Sequence, residues 1–391
     1  MQLLKAVLLA FITAIMILSC DDQQVTESLQ FEEPFFETEQ LFEDERFPNV
    51  VVAMDGTVLA TFGGTSPASE GHLKVRRSED GGESWTPTDT IAAPIQWHGG
   101  GTIVDENSGD IILFAERRPF TDQHPSGEPI VLRSQNNGLT WVEEEPVFHP
   151  DENGYYPAMH INERGITLQH GPHAGRLLKA TRVMPFAMPE GNERENWNQH
   201  YTNSIYSDDG GNTWHSSSPF PAKGTGEAAV AELSDGTIYY NSRRHLSTDG
   251  LNPRMRYIAW SYDGGETWED LSVSDVLPDG PQDSDYGLMA GLVRLPIEDY
   301  DVLIFSNTDS DEGRVRGTVW ASFDGGKSWP ISRVVDEGAF AYSSLAAGRP
   351  GTPSEGYIYL LYEGQSGANI ARFNLNWITE GKNWEEFIQD E

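Results

Sequence analysis

SYDGGETW at Ser261–Trp268 is one of five copies of a single eight-residue phrase; the others are SEDGGESW from Ser78, SQNNGLTW from Ser134, SDDGGNTW from Ser207 and SFDGGKSW from Ser322. Asp, Asn and Gly tolerate left-handed backbone and close Asx turns, while the terminal Trp supplies an apolar plug to the strand that follows. Each copy therefore marks a β-hairpin corner. The serines are spaced 56, 73, 54 and 61 residues apart, a period expected of blade or solenoid repeats, and no interval is doubled. A unit of about 61 residues fits close to six times into the chain after Cys20. The expected fold is all-β, a six-bladed β-propeller whose last blade lacks the phrase. Seven blades would need units shorter than any interval present.

The apolar residues fall in short alternating runs among 39 Gly and 23 Pro, which leaves no room for a helical domain. The one long apolar run, AVLLAFITAIMILSC, follows a basic start and ends at the only cysteine, Cys20. Ile17-Leu18-Ser19-Cys20 looks like a lipobox. Residues 1–19 then read as a lipoprotein signal peptide, with a plain signal peptide or an uncleaved anchor as the alternative, and the folded part holds no disulfide. Residues 20–45 are acidic and polar and read as a tether, and 46–391 as the propeller. The acidic stretch after the cysteine resembles the surface-export signal of Bacteroidetes-like lipoproteins. The expected location is the cell envelope, at the outer membrane, either surface-exposed or periplasmic, with membrane contact only through a lipid on Cys20. A monomer is expected.

The net charge of −35 repels phosphate backbones and argues against nucleic acid as a partner. It does not forbid a small anionic ligand, because a few convergent arginines reverse the potential locally. In an antiparallel meander the starts of strands one and three and the ends of strands two and four share one end of the sheet. The phrase joins strands three and four, so it lies at the other end. That geometry brings to one mouth Arg46 before the first inner strand, Glu227 and Arg243 in the fourth blade, Arg314 in the fifth, and Tyr342 and Glu363 in the sixth.

With Arg46-Phe47-Pro48, Glu227 with Asn241-Ser242-Arg243, Arg314 eight residues before a repeat Ser, Tyr342-Ser343-Ser344-Leu345 and Leu361-Tyr362-Glu363 in this order, the chain from Arg46 onward resembles exo-sialidases of glycoside hydrolase family 33, in the Asp-box or BNR-repeat superfamily. The resemblance implies hydrolysis of a terminal α-linked sialic acid, or a related 2-keto-3-deoxy sugar acid, from a glycan. It implies that Arg46, Arg243 and Arg314 clamp the sugar carboxylate, with Glu363 orienting Arg46. A carboxylate nucleophile would be repelled by that substrate, and sialidases depart from most glycosidases in using a Tyr nucleophile, so the resemblance implies that Tyr342 attacks with Glu227 as its base and with net retention. The segment Gly63–His72 lacks the arginine and the acidic aspartate usual there. Glu70 is either a stand-in acid or a solvated loop carboxylate.

Other polar groups also fall near the mouth. His98 lies in a glycine run that suits a tight corner, although His98, Glu116 and Arg117 could also line the pocket. His160, Arg164, His170 and His173 lack metal-ligand spacing, so neither a catalytic metal nor a cofactor is expected. Two rival classes use the same mouth differently. A polysaccharide lyase acting on uronate glycans would need Tyr and His as its acid and base. A surface lipoprotein that only binds acidic glycans would keep the clamp without turnover.

Overall fold

The computed structural model describes residues 33–43, 46–63, 71–95, 101–159, 162–185, 199–245, 254–279 and 287–388. The expected leader and Cys20, as well as Glu70, His98 and His160, lie outside the described residues. Six sheets form a propeller, antiparallel throughout except where Val147–Phe148 runs parallel to Thr213–Ser216. Counted from the axis outward, the first blade comprises Asn49–Val52, Val58–Gly63, Gly71–Ser78 and Asp89–Ile95; the second Thr102–Val104, Ile111–Arg117, Glu128–Ser134 and Val142–Glu144. The third comprises Ile166–Thr167, Leu177–Val183, Tyr201–Ser207 and Thr213–Ser216, extended at its edge by Val147–Phe148; the fourth Thr225–Glu232, Ile238–Arg244, Met255–Ser261 and Glu269–Pro278. The fifth comprises Gly291–Arg294, Leu303–Thr308, Val315–Ser322 and Ile331–Ala339. The sixth holds Ser343–Ala347, Ile358–Gly364 and Gly367–Phe373, and its outer strand is Phe36–Glu43 from the other end of the chain.

Each repeated phrase is a self-contained turn. The Ser78 hydroxyl donates to Asp80 Oδ1 at 2.7 Å and accepts from the Gly82 amide at 2.7 Å, while the Ser84 amide donates to the same carboxylate oxygen at 2.9 Å. Equivalent bonds recur around Ser207, Ser261 and Ser322, and Asn136 takes the carboxylate's place in the second copy. The glycine is needed because the turn holds it at φ +92 in the first copy. The phrase's Trp then packs between neighbouring blades: Trp214 lies edge-on to Phe114 of the preceding blade at 5.3 Å and is fully buried.

The sixth blade explains its own missing phrase. Its fourth strand does not follow its third in the chain, so no hairpin corner exists there. Phe36–Glu43 pairs antiparallel with Gly367–Phe373, with a bulge at Gln40/Phe42. Asn374 ends that third strand, and its Oδ1 accepts from the Phe35 amide at 3.0 Å and the Trp377 amide at 2.9 Å. Phe36 stacks on Trp377 with centroids 4.4 Å apart, while Leu41 and Phe42 are buried against the first blade. The tether expected over 20–45 is thus corrected at 36–43, which belong to the propeller and close the ring.

The axis is crossed by Asn162-Glu163-Arg164-Gly165. Asn162 Oδ1 accepts from the Ala228 amide and the Glu163 amide donates to the Ala228 carbonyl, both at 3.0 Å, which fixes the fourth blade. Glu163 Oε1 accepts from the Leu345 amide at 2.8 Å and the Ser344 hydroxyl at 2.9 Å, which fixes the sixth. Gly165 donates to Thr102 in the second blade at 3.0 Å. Burial pushes the Glu163 carboxyl up to about 8, against the opposing pull of the Leu345 amide and Arg164. Its Oε2 has no hydrogen-bond partner among the described residues.

Two outcomes are expected. A chain lacking residues 1–43 melts at lower temperature in calorimetry than one lacking 1–32, because only the first loses the closing strand. Between the ordinary glutamate value of 4.5 and about 8, folded Glu163 keeps a proton that the unfolded chain has lost, so stability falls as pH rises through that window. Glu163→Gln mimics the protonated form and removes this decline, worth at most about 1.4 kcal/mol per pH unit. Urea unfolding at a series of pH values measures it.

Candidate active site

Strand ends carry the predicted set to one end of the ring. Arg46 and Phe47 precede the first inner strand, Arg314 immediately precedes the fifth blade's third strand, and Tyr342 immediately precedes the sixth inner strand. Arg243 and Glu363 lie at the ends of second strands. Glu227 sits within the fourth inner strand, at a bulge between Gly226 and Ala228, with φ +58. Left-handed backbone at a non-glycine residue is strained and persists only where surroundings hold it. Here Arg256 does so: its Nη2 donates to the Glu227 carbonyl at 3.3 Å, and its Nη1 pairs with fully buried Asp279 at 2.8 Å.

One carboxylate organises the site. Glu227 Oε1 accepts from the Tyr342 hydroxyl at 3.2 Å, and its Oε2 pairs directly with Arg243. Sequence reasoning missed a further partner: Arg182, from the third blade's second strand, places Nη2 3.2 Å from the same Oε1. Gly226 makes room for it, since a Cβ there would lie 2.7 Å from Arg182 Nη2 and 2.9 Å from its Nε. Burial opposes ionisation of Glu227, but Arg243 and Arg182 outweigh it and hold the carboxyl below its ordinary value. Burial pushes the Tyr342 phenol up, and Glu227 adds to this against Arg243 and Arg314. At rest the proton is on the phenol and the charge on the carboxylate.

The remaining cations surround the Tyr342 ring. Arg314 Cζ lies 5.0 Å and Arg46 Cζ 5.6 Å from its centroid. Arg46 pairs with Glu363 through Nε at 3.3 Å and Nη2 at 3.4 Å, and Glu363 also accepts from the Phe47 amide at 2.9 Å. Arg46 is half exposed, and Arg314 forms no ion pair among the described residues. Phe47, Leu288 and Met289 pack with Tyr342 as an apolar floor. Such a mouth offers guanidinium donors to one planar anion beside a phenol hydrogen-bonded to a carboxylate.

Glu116 and Arg117 do not join it. Glu116 is buried between the second and third blades, accepting from Ser126 Oγ at 3.0 Å and the Met159 amide at 2.6 Å, and Arg117 pairs with Glu143 at the surface. Arg164 instead donates to the Leu345 carbonyl at the axis at 2.9 Å. No group of metal-ligating side chains is found among the described residues. No histidine among the described residues hydrogen-bonds to Tyr342 or Glu227.

Fold and constellation together define a sialidase-like propeller. The chain belongs to the BNR repeat-like domain family, whose description matches residues 55–360. It is 31% identical over 366 residues to a sialidase of Micromonospora viridifaciens, covering 86% of this chain and 52% of that protein. It is 27% identical over 341 residues to a sialidase of Bacteroides fragilis (strain YCH46), covering 77% and 57%. The chain thus spans about half the length of these curated relatives. Among solved structures, the Hadza microbial sialidase Hz136 superposes with a TM-score of 0.62 at 24% identity, covering 85% of this chain and 66% of the other. A leech intramolecular trans-sialidase superposes with a TM-score of 0.66 at 15% identity, covering 88% and 71%.

Gly226→Ala should force the Arg182 guanidinium away from Glu227 and cost about 1–3 kcal/mol of stability, as overpacking of a tight interior does. Its urea midpoint relative to the parent chain checks this.

Proposed function

We propose that the protein is an exo-glycosidase that releases terminal α-linked sialic acid, or a related 2-keto-3-deoxy sugar acid, from glycans with net retention. The observation that carries this is the Tyr342 phenol bonded to buried, ionised Glu227 and ringed by Arg46, Arg243 and Arg314. In this reading the three guanidiniums receive the sugar carboxylate. Glu363 holds the Arg46 fork in place. Tyr342 attacks the anomeric carbon and passes its proton to Glu227 as the glycosidic bond breaks. Positive charge developing at that carbon lowers the cost of the phenolate, offsetting the raised phenol and the lowered carboxyl. Water, deprotonated by the group that protonated the leaving oxygen, then opens the tyrosyl intermediate as Glu227 returns its proton to the Tyr342 oxygen, and two inversions give retention.

The leaving oxygen needs a proton, and Glu70 is our candidate donor in place of the usual aspartate. The carboxylate partner of Tyr342, Glu227, suits glycoside hydrolysis. We also infer a lipid on Cys20 and action at the cell envelope, which follow from the sequence of the leader.

Release of 4-methylumbelliferone from its α-sialoside tests the reading. Wild type should turn over, Tyr342→Phe should lose orders of magnitude, and Glu227→Gln should lose about 10²–10⁴-fold, the usual worth of a positioned base. A 2,3-difluoro sialoside should leave a sugar mass on the peptide containing Tyr342; an unmodified peptide would refute the covalent step even with turnover intact. In the pH profile of kcat/KM, Arg182 helps hold Glu227 ionised, so Arg182→Met should move the acid limb to higher pH.

A further inference from the structure

At the other end of the axis, on the side of the repeated turns, the inner strands leave a funnel of about 220 Å³. The last residue of every inner strand lines it: Val52, Val104, Thr167, Glu232, Arg294 and Ala347. Arg164 enters it from the segment that crosses the axis. Tyr342, Glu227 and the arginines of the mouth take no part in it.

The polar groups of the funnel are unequally satisfied. Glu106 Oε1 accepts from Arg349 Nη1 at 2.9 Å, and its Oε2 accepts from Gln169 Nε2 at 3.0 Å. Glu232 accepts from the Gln169 amide at 2.6 Å and the His170 amide at 3.0 Å, again one bond to each oxygen. Arg294 is held by Asp301 at 2.7 Å and by the Tyr300 carbonyl at 3.1 Å. Arg164 differs from all of these. Its Nε donates to the Leu345 carbonyl, but Nη1 and Nη2 have no partner among the described residues. Arg349 also keeps Nη2 without a partner there, while its Nε donates to the Val52 carbonyl at 2.9 Å.

Charge points the same way. Burial and the nearby Arg349 both oppose the charge on Arg164, while Glu163 and Glu106 favour it. Glu163, however, keeps its proton up to about 8, and Glu106 is already shared by Arg349 and Gln169. The surplus is of guanidinium N–H groups, and a planar carboxylate matches their fork. Val52, Val104 and Leu295 give the same funnel an apolar wall. Apolar cavities of about 150 Å³ admit benzene, so one ring and one carboxylate fit the available space. A second carboxylate would face Glu106 and Glu232.

We propose that this funnel is a binding site for a small monocarboxylate with an apolar body, its head on Arg164 and Arg349 and its body against the valines. The site is separate from the mouth and does not depend on the glycosidase reading.

Benzoate and its neutral isostere benzamide are suitable probes. Isothermal titration should show benzoate binding to the wild-type protein in the millimolar range or tighter, and benzamide binding far more weakly. Arg164→Met should weaken benzoate about 10–100-fold, the usual worth of a charge-assisted hydrogen bond. Arg164 also holds the Leu345 carbonyl, so a second variant guards against a folding defect. Ala347→Leu narrows the funnel without removing an arginine and should weaken benzoate too, with the native circular dichroism spectrum retained. Arg314→Met, at the opposite end of the ring, should leave the affinity unchanged. No benzoate binding in wild type, equal affinity for benzamide, or loss in Arg314→Met with retention in Arg164→Met would each overturn the site.

Discussion

Glu227 is a carboxylate that the interior would reject if it stood alone. Burying an ionised carboxyl costs several kcal/mol, and removing one partner from such a cluster typically costs about 3–5 kcal/mol. Arg243, Arg182 and the Tyr342 hydroxyl satisfy it from the fourth, third and sixth blades, and Arg256 secures its strained backbone from behind. Those demands dictate much else: the glycine at 226, the bulge in the inner strand and the buried Arg256–Asp279 pair. A chain with net charge −35 can therefore hold a local cluster of cations, because the fold concentrates them around one anion and leaves the surplus acid on the surface.

The Tyr342 phenol and the Glu227 carboxylate sit on different blades, so their 3.2 Å separation depends on how the ring is laced. Glu163 grips the residues just after Tyr342, while Asn162 and the Glu163 amide grip the residue just after Glu227. One short segment thus sets the gap between the Tyr342 hydroxyl and the Glu227 carboxylate from underneath. Ser306 and Ser343 add a hydroxyl contact at 2.9 Å between the fifth and sixth blades. Preorganisation of this kind lets electrostatic stabilisation act without rearrangement during reaction.

Much of this was legible in the chain because its signals are local. The five phrases are turns complete within eight residues, so blade count followed from spacing, and Arg46, Glu227, Arg243, Arg314, Tyr342 and Glu363 lie at or near strand ends whose face the meander dictates. The closing strand was hidden for the opposite reason. Only Phe36, Leu41 and Phe42 of Phe36–Glu43 carry apolar packing, and as an outermost strand the rest is exposed and polar, indistinguishable from a tether until its partner is known. Arg182 and Arg256 look like solvated positions in alternating strands. Their value comes from contacts across blades, which no local pattern encodes.

The route of the first strand also fixes which way the mouth looks. Phe36 begins on the side of the repeated turns and Glu43 ends beside the arginines, so this strand enters the ring from the side opposite the mouth. The stretch from Cys20 to Glu33 spans at most about 45 Å when fully extended. A propeller held by that end would hang on a short leash with its back toward the point of attachment and its arginines turned outward, oriented by topology rather than by any contact with the surface beneath.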